Sequence, residues 1–112
     1  MSENRNVFSF VEMGSGNSQE TADFFTSLFS WRFHSMGDGN GWFETPGGKI
    51  GLHANDPDWG AVPYFQVADL EAAMERVRDL GGETEDIAKA EGFGRFSNCK
   101  DSQGMRFGLH EP

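Results

Sequence analysis

The sequence predicts an α+β domain made of two tandem βαβββ modules. Two amphipathic helix patterns, the strand-like runs around each, and a five-residue phrase written twice carry this prediction. Residues 49–53 read KIGLH and residues 106–110 read RFGLH, each running basic, apolar, Gly, Leu, His. With 112 residues the chain has room for one domain and a sizeable core. The modules span about 5–53 and 62–110, joined by a Pro- and Gly-bearing linker at 54–61.

The first module opens with the strand-like run VFSFVEM. Asn17 and Glu20 then have capping-box spacing, and Ala22, Phe25, Leu28 and Phe29 recur on one face, which predicts a helix from Ser18 to about Ser30. WRFHSM, GWFET and KIGLH follow as strands, separated by the turn signals GDGN and PGG. The second module repeats the order. VPYFQV leads to a helix capped by Asp69, with Leu70, Ala73, Met74, Val77 and Leu80 as its stripe and Gly81-Gly82 as its stop. ETEDIA, GRFSNCK and MRFGLH complete it. Aligning the two caps gives a shift of 69 − 17 = 52, which places Phe10 on Val62 and Glu12 on Tyr64.

Composition narrows the partners. Eighteen acidic against nine basic residues leave a net charge of −9, which disfavours nucleic acid and anionic membrane surfaces. The N-terminus has no basic flank and apolar run of a signal peptide, no stretch is long enough to span a membrane, and a lone Cys99 makes no internal disulfide. A cytoplasmic location is therefore expected. Cys99 itself reads as a strand residue, not a nucleophile.

Strand alternation divides the side chains into two sets. Val7, Val11, Met13, Ile50 and Leu52 should pack under the first helix, and Pro63, Phe65, Val67, Met105, Phe107 and Leu109 under the second. The opposite face then carries Phe8, Phe10, Glu12, Lys49, Gly51 and His53, with Val62, Tyr64, Gln66, Arg106, Gly108 and His110. Apolar walls with a few convergent polar groups suit a small-molecule site.

The doubled βαβββ order, the segments NSQETADFFTSLFSWRF and PYFQVADLEAAMERVRDLGGE, and the closing GRFSNCKDSQGMRFGLHEP together resemble the vicinal-oxygen-chelate superfamily. That superfamily groups glyoxalase, bleomycin-resistance and extradiol-dioxygenase proteins, and the likeness is to its small glyoxalase-like branch. The resemblance implies curved mixed sheets around a shared cleft or barrel, and a homodimer. In metal-using members each module gives one ligand from its first strand and one from its last. Those places fall here on Phe10, Gly51, Val62 and Gly108, none of which ligates through a side chain, so no metal cofactor is expected at the usual site.

The site reading that follows is a small, partly apolar or aromatic metabolite held by Phe8, Phe10, Trp42, Lys49, His53, Val62, Tyr64, Arg106 and His110, without metal. Glu12 is the candidate general base: desolvation beside Phe8 and Phe10 would raise its pKa, with His53 or His110 completing a proton shuttle. An ion pair of Glu12 with Lys49 or Arg106, which would lower that pKa, is the leading competing expectation. The alternative function is a metal-dependent lyase or isomerase of glyoxalase type, in which Glu12, His53 and His110 hold a divalent ion. A drug-sequestering binding protein is a third. His34 reads as an edge histidine, and Trp31, Trp42 and Trp59 as core residues or stacking platforms.

Overall fold

The computed structural model describes residues 6–112. The described residues pack as two compact units, one formed by Phe10–Val62 and the other by residues 6–9 with Pro63–Pro112. The first is built as βαβββ, the second repeats that order with the strand after its helix split into two short ones, and the doubled topology predicted from the repeat is what the structure shows.

The Phe10–Val62 unit contains most of β1 (Val7–Gly14), α1 (Ser18–Phe29), β2 (Arg32–Gly37), β3 (Asn40–Thr45) and β4 (Gly48–His53). Its strand order is β2-β3-β4-β1, antiparallel except for the β1/β4 pair, which is parallel. α1 starts where the capping box predicted: the Glu20 N–H donates to Asn17 Oδ1 at 3.1 Å and Asn17 Nδ2 donates to Glu20 Oε2 at 2.8 Å. It ends on Ser30 in the left-handed conformation. Ala22, Phe43 and Leu52 form the buried core, with Met13, Phe25, Trp31, Phe33 and Ile50 packed against it. Trp31 is thus a core residue, with its ring 4.6 Å from Phe29 and 5.9 Å from Phe43. The predicted α1 stripe holds for Ala22 and Phe25, but Leu28 and Phe29, in the last turn of the helix, are exposed.

The other unit contains β5 (Gly60–Gln66) from Pro63 onward, α2 (Leu70–Asp79), β6 (Glu83–Thr84), β7 (Ala88–Ala90), β8 (Gly94–Lys100) and β9 (Arg106–Glu111). Its order is β5-β9-β8-β6, with β7 also on β8 and the β5/β9 pair parallel. Asp69 caps α2, accepting from the Ala72 N–H at 3.0 Å. Val67, Leu70, Met74, Cys99 and Leu109 form the core, so Cys99 is a buried strand residue whose thiol burial pushes up. ETEDIA is not one strand but falls on two short ones, and between them the Glu85 carbonyl accepts from Ser97 Oγ at 2.8 Å. Met105, Leu80, Val7 and Phe65 were expected under the helices and are exposed instead. Val62 and Tyr64, assigned to the opposite face, are almost fully buried. Among the described residues no helix is long and apolar enough to cross a membrane.

Candidate functional site

The site in the Phe10–Val62 unit begins with a register. The parallel β1/β4 pair sets Glu12 beside Gly51. A side chain at position 51 would collide with Glu12 Oε1, so the glycine opens the seat in which the carboxylate lies. From there Glu12 Oε2 is 3.0 Å from His53 Nδ1, and His53 Nε2 is 3.1 Å from Asp56 Oδ2. The imidazole is therefore bracketed by two carboxylates. The side chains of Glu12, His53 and Asp56 are 24%, 28% and 34% exposed, so the chain of groups is shielded yet reachable from solvent.

The loop after β4 completes the arrangement. Asn55 turns it in the left-handed region (φ 63°), and the Asp56 N–H donates to the Ser15 carbonyl at 3.0 Å. Trp59 sets its ring edge-on to His53, centroids 5.0 Å apart, and donates its indole N–H to the Glu12 carbonyl at 3.3 Å. Gly14 makes room for this packing, because a Cβ there would lie 2.7 Å from His53 Nε2 and collide with Trp59. Asp56 was missed as a site residue, since the stretch 54–61 reads as a linker, and Trp59 was read only as a core residue or stacking platform. The signal available was an acid three residues after His53 in a turn-forming sequence.

The electrostatics follow from burial and proximity. Burial raises the Glu12 pKa above the ordinary carboxylate value, and the His53 hydrogen bond offsets only part of that. Burial by itself would depress His53, but hydrogen bonds and charge from Glu12 and Asp56 outweigh it and raise the imidazole. The Glu12 pKa therefore goes up, not down as the expected ion pair would have it, and within its own unit the carboxylate bonds to His53, not to Lys49. Lys49 Nζ lies 4.3 Å from the centre of the Trp42 ring.

Trp42 pairs in register with Gly51 on one side and His34 on the other. The His34 ring stacks on it at 4.0 Å and 17°, and donates from Nε2 to Glu44 Oε1 at 2.8 Å, a bond that holds the Glu44 carboxyl below its usual range. Trp42 is consequently flanked by an imidazole and an ammonium, not bare.

The remaining predicted residues separate. His110, Tyr64 and Arg106 belong to the other unit, so the alternative set of Glu12, His53 and His110 is divided between the two. His110 is buried, donates from Nε2 to the Phe93 carbonyl at 2.6 Å, accepts from Ser9 Oγ at Nδ1 at 3.0 Å, and stacks on the Phe93 ring. Tyr64 pairs with Gly108, its ring filling the space a side chain at 108 would need, and its hydroxyl donates to Asn98 Oδ1. Phe8 is exposed, whereas Phe10 is half-buried. Arg95 is tied to Glu71 at 2.7 Å and to Glu111 at 2.5 Å, which lowers the Glu71 carboxyl to about 2.

Two of the four positions that would carry metal ligands by resemblance, Gly51 and Gly108, have their side-chain space filled by Glu12 and Tyr64, and the other two are Phe10 and Val62. The donor set there does not fit a divalent ion. Among the described residues, the group that gathers three acidic ligand atoms is Asp69, Glu71 and Glu111. Its members cap α2 and pair with Arg95: Asp69 and Glu111 accept from the N–H groups of Ala72 and Leu70.

The sequence model of the Glyoxalase/Bleomycin resistance protein/Dioxygenase superfamily matches residues 8–109. The chain belongs to this superfamily. No curated protein sequence matches it significantly. Among solved structures, it is similar to methylmalonyl-CoA epimerase from Mycobacterium tuberculosis, at TM-score 0.71 and 18% identity, covering 100% of this chain and 93% of that one. A glyoxalase/bleomycin resistance protein/dioxygenase superfamily member from Vibrio splendidus 12B01 gives 0.69 and 12%, covering 95% and 100%. A Streptomyces coelicolor methylmalonyl-CoA epimerase variant in complex with 2-nitronate-propionyl-CoA gives 0.66 and 17%, covering 96% and 97%. At these identities the likeness shows the superfamily's fold, in which two helices accompany mixed sheets.

Proposed function

We propose that this superfamily member binds a small, partly apolar or aromatic metabolite without a metal and moves a proton on it through Glu12. The observation that carries this reading is the seated Glu12 carboxylate, its pKa raised by burial and its Oε2 bonded to His53, which Asp56 holds from the other side. A carboxylate destabilised by desolvation is a stronger base than an exposed one, and its raised pKa brings it closer to neutral working pH.

The step balances simply. Glu12 takes a proton from a C–H beside a carbonyl of the ligand, and the freed electron pair forms an enolate whose charge rests on the carbonyl oxygen. Return of the proton from the Glu12 carboxyl to the same face restores the ligand, and return after the planar enolate has turned over inverts it. His53, bracketed by two carboxylates that raise its pKa, hydrogen-bonds to Glu12 and favours its ionised form. Asp56 acts through His53 as a positioning residue. Fold relatives named as epimerases make a carbon acid the first substrate class to try, since inverting a carbon beside a carbonyl needs this proton traffic.

The test is hydrogen exchange in D2O with phenylacetone as an aromatic carbon acid, followed by loss of its benzylic proton signal. Exchange above the buffer rate, lowered at least tenfold in Glu12→Gln with the melting temperature kept, is expected. Equal rates in both proteins remove Glu12 as the base. Binding without exchange assigns the chain to sequestration.

A further inference from the structure

The sheet face around Glu12 has a charge and ring order that selects among metabolites. Registers place Arg32, Glu44 and Lys49 in one row across β2, β3 and β4, and His34, Trp42, Gly51 and Glu12 in the next. Side chains two residues apart on a strand share a face and stand roughly 7 Å apart, and adjacent strands are about 4.8 Å apart. Lys49 is thus about 8 Å from Glu12 measured between backbone positions, with Trp42 beside both.

Two features of this row point to the ligand. Glu44, the acid between the two cations, turns its carboxylate to His34 at 2.8 Å, so it is engaged away from Lys49. Lys49, an exposed residue, rests its ammonium 4.3 Å from the Trp42 ring centre. A cation–π contact at an exposed site is weak and readily exchanged for a full negative charge.

We infer that the ligand of this site is a planar organic anion, with its carboxylate on Lys49, its ring on the Trp42 face that Lys49 leaves, and its reacting hydrogen at Glu12. The inference rests on the proton-transfer reading of Glu12 and adds the substrate class to it. The chain's net charge of −9 sharpens the point: an anion approaching this protein needs a local cation, and Lys49 supplies it beside the base.

The probe is naphthalene-2-carboxylate, compared with its neutral isostere 2-naphthamide, by chemical-shift titration of the Trp42 indole N–H and the His53 ring. The carboxylate is expected to shift both signals and to bind at least tenfold more tightly than the amide. That advantage should shrink as salt rises and vanish in Lys49→Gln, whose fold is checked by an unchanged melting temperature. Equal affinities for the two probes, with both signals shifting, overturn the anion while leaving the Glu12 reading in place. Tighter carboxylate binding that survives Lys49→Gln overturns the role of Lys49. If neither probe moves these signals, the inference is overturned, and the D2O exchange experiment decides separately whether Glu12 is a base.

Discussion

Glu12 and Gly51 function as one unit, because the carboxylate occupies the volume a side chain at 51 would take. The atom a Gly51→Ala methyl meets first is the far end of a flexible side chain, so the fold tolerates the change while Glu12 is displaced. Loss of the Glu12 partner should lower the His53 pKa, read from its ring signals by NMR, with stability changed by about 1 kcal/mol or less. Asp56 gives a pH signature. His53 is raised in the fold, so the stability it contributes with Asp56 is fully present below its unfolded pKa of about 6.5 and is lost as pH rises through the folded value. Glu12, also raised, has the same sign at lower pH: its contribution is present below about 4.3 and lost as pH rises through its folded pKa. Asp56→Asn should therefore destabilise by about 1 kcal/mol or less at pH 5.5 and have less effect at pH 8.5, measured by urea unfolding. At this scale the sequence shows Glu12 and His53, since strand alternation puts them on one face. Alternation says nothing about Asp56 and Trp59, whose positions depend on a loop closing back onto Ser15 and Glu12.

The helices were legible because local chemistry decides where they begin. Asn17 and Asp69 each accept from the backbone three residues on, as the spacing predicted, and Asn17→Ala should cost about 1 kcal/mol in urea unfolding. Which residues a helix buries is less legible, because it depends on how far the helix extends past the sheet beneath it. Leu28, Phe29 and Leu80 sit in or just past final turns and are exposed, although they continue the apolar stripes. The strands behave similarly: GRFSNCK forms β8 with the boundaries read from sequence, whereas ETEDIA breaks where the Ser97 hydroxyl takes a carbonyl. A hydroxyl arriving from another strand leaves no trace in a strand's own sequence.

For the whole molecule, the doubled phrase identified the architecture: β1 pairs in parallel with β4 and β5 with β9, so each echo is the closing strand of its module. Each module also has its own core, around Phe43 and around Leu70. The homodimer that the family resemblance implies is a proposal at this scale. Sedimentation equilibrium at micromolar concentration should give about twice the 12.4 kDa of the chain, and a mass of one chain would refute it. The metal-free reading is tested on the whole protein by calorimetric titration with zinc. No heat and no rise in melting temperature are expected, while saturable binding lost in His53→Ala would restore the metal alternative.

The paired glycines at 51 and 108 have a consequence for how this scaffold changes its chemistry. Each marks a volume that admits one tenant, either a side chain rooted on the closing strand or one leaning in from the opening strand, Glu12 in one module and Tyr64 in the other. The two occupancies exclude each other. A histidine at 51 would displace the Glu12 carboxylate in the same stroke, so a donor rooted at 51 and a carboxylate seated from position 12 cannot be held together by adding one replacement to the other.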